Sequence, residues 1–241
     1  MNQTIDLMMN HVSVRKFTDE PIPAQTLDAI IDAGRAASSW KAFWSYSIVV
    51  VESAETKQAL FDLVPQPAIT GCSAFLLFVG DLTLAAQAAE MHDAEFQPKG
   101  VESLLISSVD GALAAQNTLL AAESLGYGGV VIGLVRYESA KISELLGLPK
   151  YTYPLFGIAL GKPARTFAVK PRLPFDVQVH RERYRTLDKQ AGETVLREHD
   201  AAQSEYFGGR TAEDWSERLV AQWGVPEVPS STEHLKASGL L

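Results

Sequence analysis

Three side chains near the start of the chain, His11, Ser13 and Arg15, occupy alternate positions in the run HVSVRKFTDEP. Residues i, i+2 and i+4 of an extended segment share a face. An imidazole, a hydroxyl and a guanidinium therefore converge, while Val12 and Val14 pack inward. That donor set suits an anionic or oxygen-rich ligand, a phosphate above all. Local pattern alone fits a strand or turn with a polar outer face as well. A second pair of cations, Lys170 and Arg172, comes late and is held extended by Pro171 and Pro174; taken alone it is a solvated basic loop. Between the two lies an apolar run closed by Gly133, where backbone can approach a ligand closely. Two cation clusters flanking a glycine-bearing strand fit a flat phosphorylated cofactor.

Other chemistries lack their residues. There is no G-x-S-x-G, Walker A loop, H-E-x-x-H or G-x-G-x-x-G on a strand-to-helix turn. The histidines at 11, 92, 180, 199 and 234 have no metal-ligand spacing, so no metal is expected. Cys72, the one cysteine, excludes an intrachain disulfide and a multi-thiolate site; beside the run AFLLFV it reads as a small buried hydrophobe. A net charge of −8 with pI near 5.2 argues against a general nucleic-acid binder, because phosphate neutralisation needs a basic surface. Any phosphate must be held by a local cluster. No apolar run of about 18 residues and no signal-like start appear, so a cytoplasmic protein with no membrane span is expected.

The elements that must position these residues follow from periodicity. With 241 residues, 46% of them hydrophobic, the chain can bury one large core. Helices are expected over Thr4–Met9, Ala24–Ala37, Ala54–Leu63 and Tyr137–Leu146, and strands over Ser45–Val51, Ala74–Gly80, Val130–Arg136 and Pro154–Leu160. Leu84 to Pro98 is alanine-rich, then acidic and loop-like. Val101–Leu125 is the longest helical pattern and is apolar on more than one face, which suits burial against a sheet and a second subunit. Asp110, Gln116 and Asn117 interrupt it as satisfied buried polar groups. Ser38-Ser39-Trp40-Lys41-Ala42-Phe43-Trp44 is a polar and aromatic loop, of the kind that covers something. After Pro174 come helical stretches at Thr194–Tyr206 and Glu213–Trp223 around a Gly208-Gly209-Arg210 turn. A tail from Val225 to Leu241 follows, mobile unless docked. The pattern is an α+β or α/β layer domain.

Five blocks in order carry a resemblance: H-x-S-x-R-x-F-T-D-E-P-I, A-G-R-A-A-S-S, E-S-L-G-x-G-G-V-x-I-G, P-L-F-G-x-x-L-G-x-P and K-P-R-L-P. Over roughly residues 3 to 223 the chain resembles the FMN-dependent nitroreductase family, and more narrowly its NADPH-linked, oxygen-insensitive nitroreductases and flavin reductases. The resemblance implies an α+β fold, a mixed, mainly antiparallel sheet wrapped by helices, in an intertwined homodimer with FMN at two interfacial sites. It further implies an FMN-binding core over 1–174, with a helical extension and tail of the same domain over 175–241. The implied activity is hydride transfer from NADPH, or NADH, to a nitroaromatic, quinone or flavin acceptor by a ping-pong mechanism. A flavin-sequestering protein with little turnover is the alternative.

The resemblance assigns His11, Ser13, Lys170 and Arg172 to the FMN phosphate. It sets Arg15 beside flavin N1 and O2, and Gln66 at the pyrimidine edge. The Gly133 backbone N–H then lies near N5, with Ile132 and Leu134 beside the ring. Ser38, Ser39 and Lys41 would reach the partner subunit's FMN. Arg210, helped by Arg136 and Arg218, would meet NADPH. No side-chain acid or base is implied. Val12 departs from the family's frequent arginine, Leu134 from a second glycine, and the Trp40–Trp44 loop from a serine-rich one. The two tryptophans are expected to narrow the cavity over the flavin, and the segment around Arg210 is shorter and less basic than in the best-known NADPH-linked members.

Overall fold

The run Ala74–Asp81 is buried at every position except the last, a pattern that only a central strand covered on both faces satisfies. In the computed structural model, which describes residues 2–98, 100–211, 213–224 and 229–241, this strand lies within a four-stranded sheet. The chain divides into two compact units, Met1–Phe167 with Val228–Leu241, and Ala168–Glu227.

The first unit runs α1 (Gln3–Met9), α2 (Ala24–Arg35), β1 (Tyr46–Val51), α3 (Ala54–Leu63), α4 (Pro67–Gly71), β2 (Ala74–Asp81), α5 (Thr83–Met91), α6 (Val101–Ser124), β3 (Gly128–Ile132), a 3₁₀ stretch (Gly133–Glu138), α7 (Ser139–Leu146) and β4 (Thr152–Gly161). Strand order is β1-β2-β4-β3, with all three pairings antiparallel. Successive β2 side chains point to opposite faces. Leu76 and Phe78 join a core with Ile30 of α2 and Ala114, Leu119 and Ala122 of α6. Phe75, Leu77 and Val79 join a second core with Leu60, Ile69, Ile132 and Ile142. The architecture is a sheet between two helical layers. Pro154, which cannot donate to a ladder, sits at the register shift opposite Phe78 and Val79, the setting in which a strand tolerates proline.

Three expectations change on contact with the structure. The Val130–Arg136 strand ends at Ile132, and Gly133–Glu138 turns into 3₁₀ helix; an apolar run does not announce its period. The alanine-rich segment after Leu82 forms α5, since alanine is the best helix former. On α6 the buried face is made of small and polar residues (Ser103, Ser107, Asp110, Gly111, Ala114, Ala115, Thr118) with Leu119 and Ala122, while Gln116 and Asn117 are exposed rather than interrupting a core. Small residues let α2 approach: a Cβ at Gly34 of α2 would overlap Thr118 Oγ1 and lie 3.1 Å from the Ala114 carbonyl oxygen. Val101, Leu105, Val109 and Leu113 are left as an apolar stripe, 43–64% exposed. By length and composition alone α6 could cross a membrane, yet this buried face packs on α2 and the sheet.

The second unit contains α8 (Phe175–Gln178), α9 (Lys189–Tyr206) and α10 (Trp215–Trp223). Asp188 caps α9, and a capping box formed by Asp214 and Glu217 starts α10. The last two helices are joined by the His199 and Trp215 rings, 4.5 Å apart, and by Ser216, whose N–H and hydroxyl donate to Asp200 at 2.8 and 2.6 Å. Of the tail, Val225–Val228 lie outside the described residues; the remainder is docked on the first unit. It forms α11 (Pro229–Ala237), which packs on α7, and Leu240 is 1% exposed in the first core. Ser230 and Ser231 donate to the Tyr137 and Arg136 carbonyls, and His234 lies 3.2 Å from the Ser143 hydroxyl. Burial holds the His234 pKa below its ordinary value.

Candidate functional site

The segment from His11 to Phe17 meets the open edge of β3 at Val14 and then pairs with the stretch that follows β4. Val14 N–H donates to Gly129 O at 2.8 Å, Thr18 N–H to Lys162 O at 2.9 Å and Ala164 N–H to Lys16 O at 3.0 Å, while Phe17 bridges to Pro163. Two glycines allow this closeness. A Cβ at Gly128 would come 2.6 Å from Val14 Cγ2, and one at Gly161 2.9 Å from the Phe17 ring. Val14 is 3% exposed, whereas Val12 is only half-buried, so the expected inward pair reduces to one residue. Outward stand His11 and Ser13, half-buried, and Arg15, exposed. The Arg15 guanidinium makes one long bond, 3.4 Å to Ser13 O, and among the described residues the Ser13 hydroxyl has no partner. His11 Nδ1 lies 2.6 Å from Glu123 Oε1, in the last turn of α6.

The same edge strand ends at Ile132, which is buried, and Gly133 and the half-exposed Leu134 follow it. Gly133 opens the 3₁₀ stretch, and the N–H groups of a helix's first turn have no partner within it. The guanidinium of Arg136 lies beneath Gly133, 3.1 Å from where a Cβ would stand, and donates to Leu155 O at 2.7 Å. Gln66 precedes α4, whose Ile69 shares the second core with Ile132 and Val135.

The Ser38–Trp44 loop is placed by Asp110. This carboxylate, 1% exposed, accepts from Trp40 N–H at 2.9 Å and Ser45 N–H at 3.2 Å, gripping both ends of the loop. Between the grips Lys41, Ala42 and Trp44 take positive φ (49°, 56° and 47°), a conformation disfavoured for side chains with a Cβ. Ser38 is exposed, the Ser39 hydroxyl oxygen is buried without a partner, and the Lys41 ammonium lies over the Trp40 ring at 4.6 Å. Trp40, Phe43 and Trp44 line a cavity of about 680 Å³ with Tyr46, α5 and Phe96.

The chain therefore brings His11, Ser13 and Arg15 beside β3, which ends at Ile132 and is followed by Gly133 and Leu134, but sets Ser38, Ser39 and Lys41 elsewhere. Their anchor Asp110 stands thirteen residues before Glu123 on α6, about 20 Å along the helix. In the second unit Lys170 and Arg172 are exposed, with the Lys170 ammonium over the Phe207 ring at 5.5 Å. There Gly208 and Gly209, both at positive φ, turn the chain into Arg210, whose Nε donates to Phe207 O at 3.3 Å; Arg218 is exposed on α10.

A family profile, the nitroreductase family, matches residues 8–162, and its C-terminal domain profile matches 170–241. The chain belongs to the nitroreductase family. Among the relatives of this nitroreductase is an FMN reductase [NAD(P)H] of Bacillus subtilis (strain 168), 36% identical over 99% of this chain and 98% of its own. Another is an NADPH-dependent oxidoreductase of Staphylococcus haemolyticus, 34% identical over 98% and 97%. Nitroreductase A from Vibrio parahaemolyticus superposes with a TM-score of 0.91 at 36% identity, covering 99% of this chain and 98% of that one. The NADPH:FMN oxidoreductase from Vibrio harveyi, complexed with NAD+, gives 0.89 at 35% with the same coverage.

The donors of this nitroreductase fit a phosphorylated flavin. Ser13, whose hydroxyl has no partner among the described residues, and Arg15, whose guanidinium makes one long bond, lie on the segment beside β3, the strand that Gly133 follows, and the Ser39 hydroxyl oxygen is buried in the loop. Sequence reading missed one functional residue, Glu123. Glu123 is the first residue of the E-S-L-G block, and the signal was a carboxylate at a helix C-terminus, where the dipole disfavours it. Asp110 was read as satisfied, but nothing local reveals that its partners are the two ends of the loop.

Proposed function

We propose that this protein is an FMN-dependent oxidoreductase of the cytoplasm that takes hydride from NADPH and passes two electrons to a nitroaromatic, quinone or flavin acceptor, in two half-reactions, as a homodimer. The observation that carries the reading is the His11–Arg15 segment, hydrogen-bonded through Val14 to β3, the strand that Gly133 follows. FMN, when bound, supplies the hydride acceptor, N5 of its ring. Ser13 and His11, with Lys170 and Arg172, hold the phosphate. Arg15 places a permanent positive charge where the ring gains electrons, which favours the reduced form. Gly133 offers backbone without a side chain in the way, Ile132 and Leu134 flank the ring, and Gln66 meets its pyrimidine edge. Arg210 reads the 2′-phosphate of NADPH, with Arg136 and Arg218 nearby in role.

The experiment is an anaerobic titration of the purified full-length protein. It is expected to be yellow, to hold one FMN per chain, and to lose its visible flavin band on addition of NADPH. Arg210→Ala raises KM for NADPH about tenfold, the scale of one charge-assisted contact, and leaves kcat and the NADH kinetics nearly unchanged, because that contact is equal in ground and transition states. A colourless protein that takes up no FMN overturns the reading; equal losses with both donors overturn the role of Arg210.

The homodimer is supported by the separation along α6 and by the exposed stripe Val101, Leu105, Val109 and Leu113. In one chain the residues that anchor the two parts of the donor set, Asp110 and Glu123, stand about 20 Å apart along α6, which supports Ser38, Ser39 and Lys41 serving the partner's cofactor. Light scattering is expected to give twice the chain mass, and Val109→Asp to give a monomer that has lost its FMN. A wild-type monomer loaded with FMN contradicts this arrangement.

A further inference from the structure

The imidazole of His11 comes with a partner already in place. Glu123 stands in the last turn of α6, with its side chain 10% exposed, where the unpaired carbonyls of a 24-residue helix disfavour a second negative charge. Among the described residues its one ion pair is with His11 Nδ1, at 2.6 Å. The elements around His11 carry Asp6 on α1, Glu123 at the end of α6, Tyr127 in the turn before β3, Arg15 and Lys16 on its own segment and Lys162 after β4. Of these only Glu123 bonds to the ring; Lys162 lies over Tyr127 instead.

A carboxylate accepts and does not donate, so Nδ1 carries the hydrogen. The other nitrogen, Nε2, lies across the ring. With Nδ1 protonated, a neutral imidazole presents only a lone pair there, which repels a phosphate oxygen. Contact with that oxygen requires a second hydrogen. We infer that Glu123 is a positioning residue for His11. It fixes which nitrogen meets the ligand, and it stabilises the imidazolium that forms when His11 takes up one proton from solvent as the phosphate binds. No electron moves and no other bond changes. The inference rests on the proposed role of His11 at the FMN phosphate. Its consequence is that FMN is held more weakly as pH rises, by one proton's linkage, while riboflavin, which has no phosphate, is indifferent.

The test measures dissociation constants of FMN and riboflavin from the full-length protein by flavin fluorescence between about pH 5 and pH 8. The phosphate's own ionisation near pH 6 is common to all variants and cancels in ratios. Glu123→Gln keeps an acceptor for Nδ1–H but removes the charge. It is expected to weaken FMN about tenfold at the upper end of the range and much less at the lower end, with riboflavin unchanged as the check on folding. Glu123→Asp restores part of the loss. If Glu123→Gln binds FMN like wild type across the range while His11→Ala weakens it, Glu123 has only a structural role and the inference fails alone. If His11→Ala itself leaves FMN unchanged relative to riboflavin, the inference falls together with the phosphate assignment. Nitrogen NMR of histidine-labelled wild type requires no variant: a neutral ring with its proton on Nε2 overturns the proposal.

Discussion

Replacing Asp110 by alanine is expected to cost about 3–5 kcal/mol, the scale of leaving the partners of a buried charge unpaired. Two backbone N–H groups, of Trp40 and Ser45, lose the one acceptor they have among the described residues. Each hydrogen bond to a charged group contributes about 1.5–3 kcal/mol. Part of the loss is offset because the burial of a carboxylate is also removed. Part escapes a global measurement, because the loop can detach on its own. Detachment is favoured by the left-handed Lys41, Ala42 and Trp44, which store roughly 1 kcal/mol or more each while the grips hold. The variant should therefore show two signatures: a lowered unfolding midpoint, and tryptic cleavage at Lys41 under conditions in which the wild type is intact. Asp110→Asn keeps one acceptor and turns an amide toward the other N–H, so about half the effect is expected. A change below about 0.5 kcal/mol, with cleavage unaltered, would show that the loop holds its shape without the carboxylate.

Gly34→Ala is the second change with a large expected effect, against the usual sign of this substitution in helices. Alanine in place of a helical glycine ordinarily gains about 1 kcal/mol. Here its Cβ overlaps Thr118 Oγ1 and crowds the Ala114 carbonyl. The Thr118 hydroxyl cannot swing away without giving up its 2.9 Å bond to that same carbonyl. Overpacking of this kind costs about 1–3 kcal/mol, and relief by separating α2 from α6 exposes Ile30 and Leu119. A net loss of about 2 kcal/mol, or a fall in Tm of roughly 4–8 °C for a chain of this size, is expected. Thr118→Ala removes the obstructing oxygen, so the double variant should recover most of the loss. A Gly34→Ala protein at least as stable as wild type would show that the crossing has slack that the distances do not suggest.

These two sites show where sequence reasoning stops. The strand β2 was legible because a short apolar run carrying Phe75, Phe78 and Val79 is bounded by the Pro65-Gln66-Pro67 break and by Gly80-Asp81, and the ordered motif blocks placed the family. On α6 the leucines and valines drew the eye. The chain's own core uses Gly111, Ala114, Ala115 and Thr118, because α2 crosses close at Gly34, and small residues give little hydrophobic signal. The glycines at 128 and 161 were visible as motif letters, but their reason, room for Val14 and the Phe17 ring, exists only once two distant segments meet. The bond from His11 to Glu123 spans 112 residues, and no spacing rule reaches that far. Gly133 to Arg136 reads as strand and folds as 3₁₀ because apolar residues alone carry no period.

The return of the chain to the first unit has a consequence for how the protein is made. The first core contains Ile22, near the beginning, and Leu240, which follows the whole of the second unit. During synthesis the helical layers around β2 can gather as they emerge, but their last core position stays empty until the second unit has been translated. The nascent chain therefore passes through an interval in which the sheet exists and its core is open to solvent. Closing contacts this distant in sequence are slow to form. Chains released or cut within the second unit would be caught in that interval, with apolar surface exposed and with chaperone or protease capture as their fate.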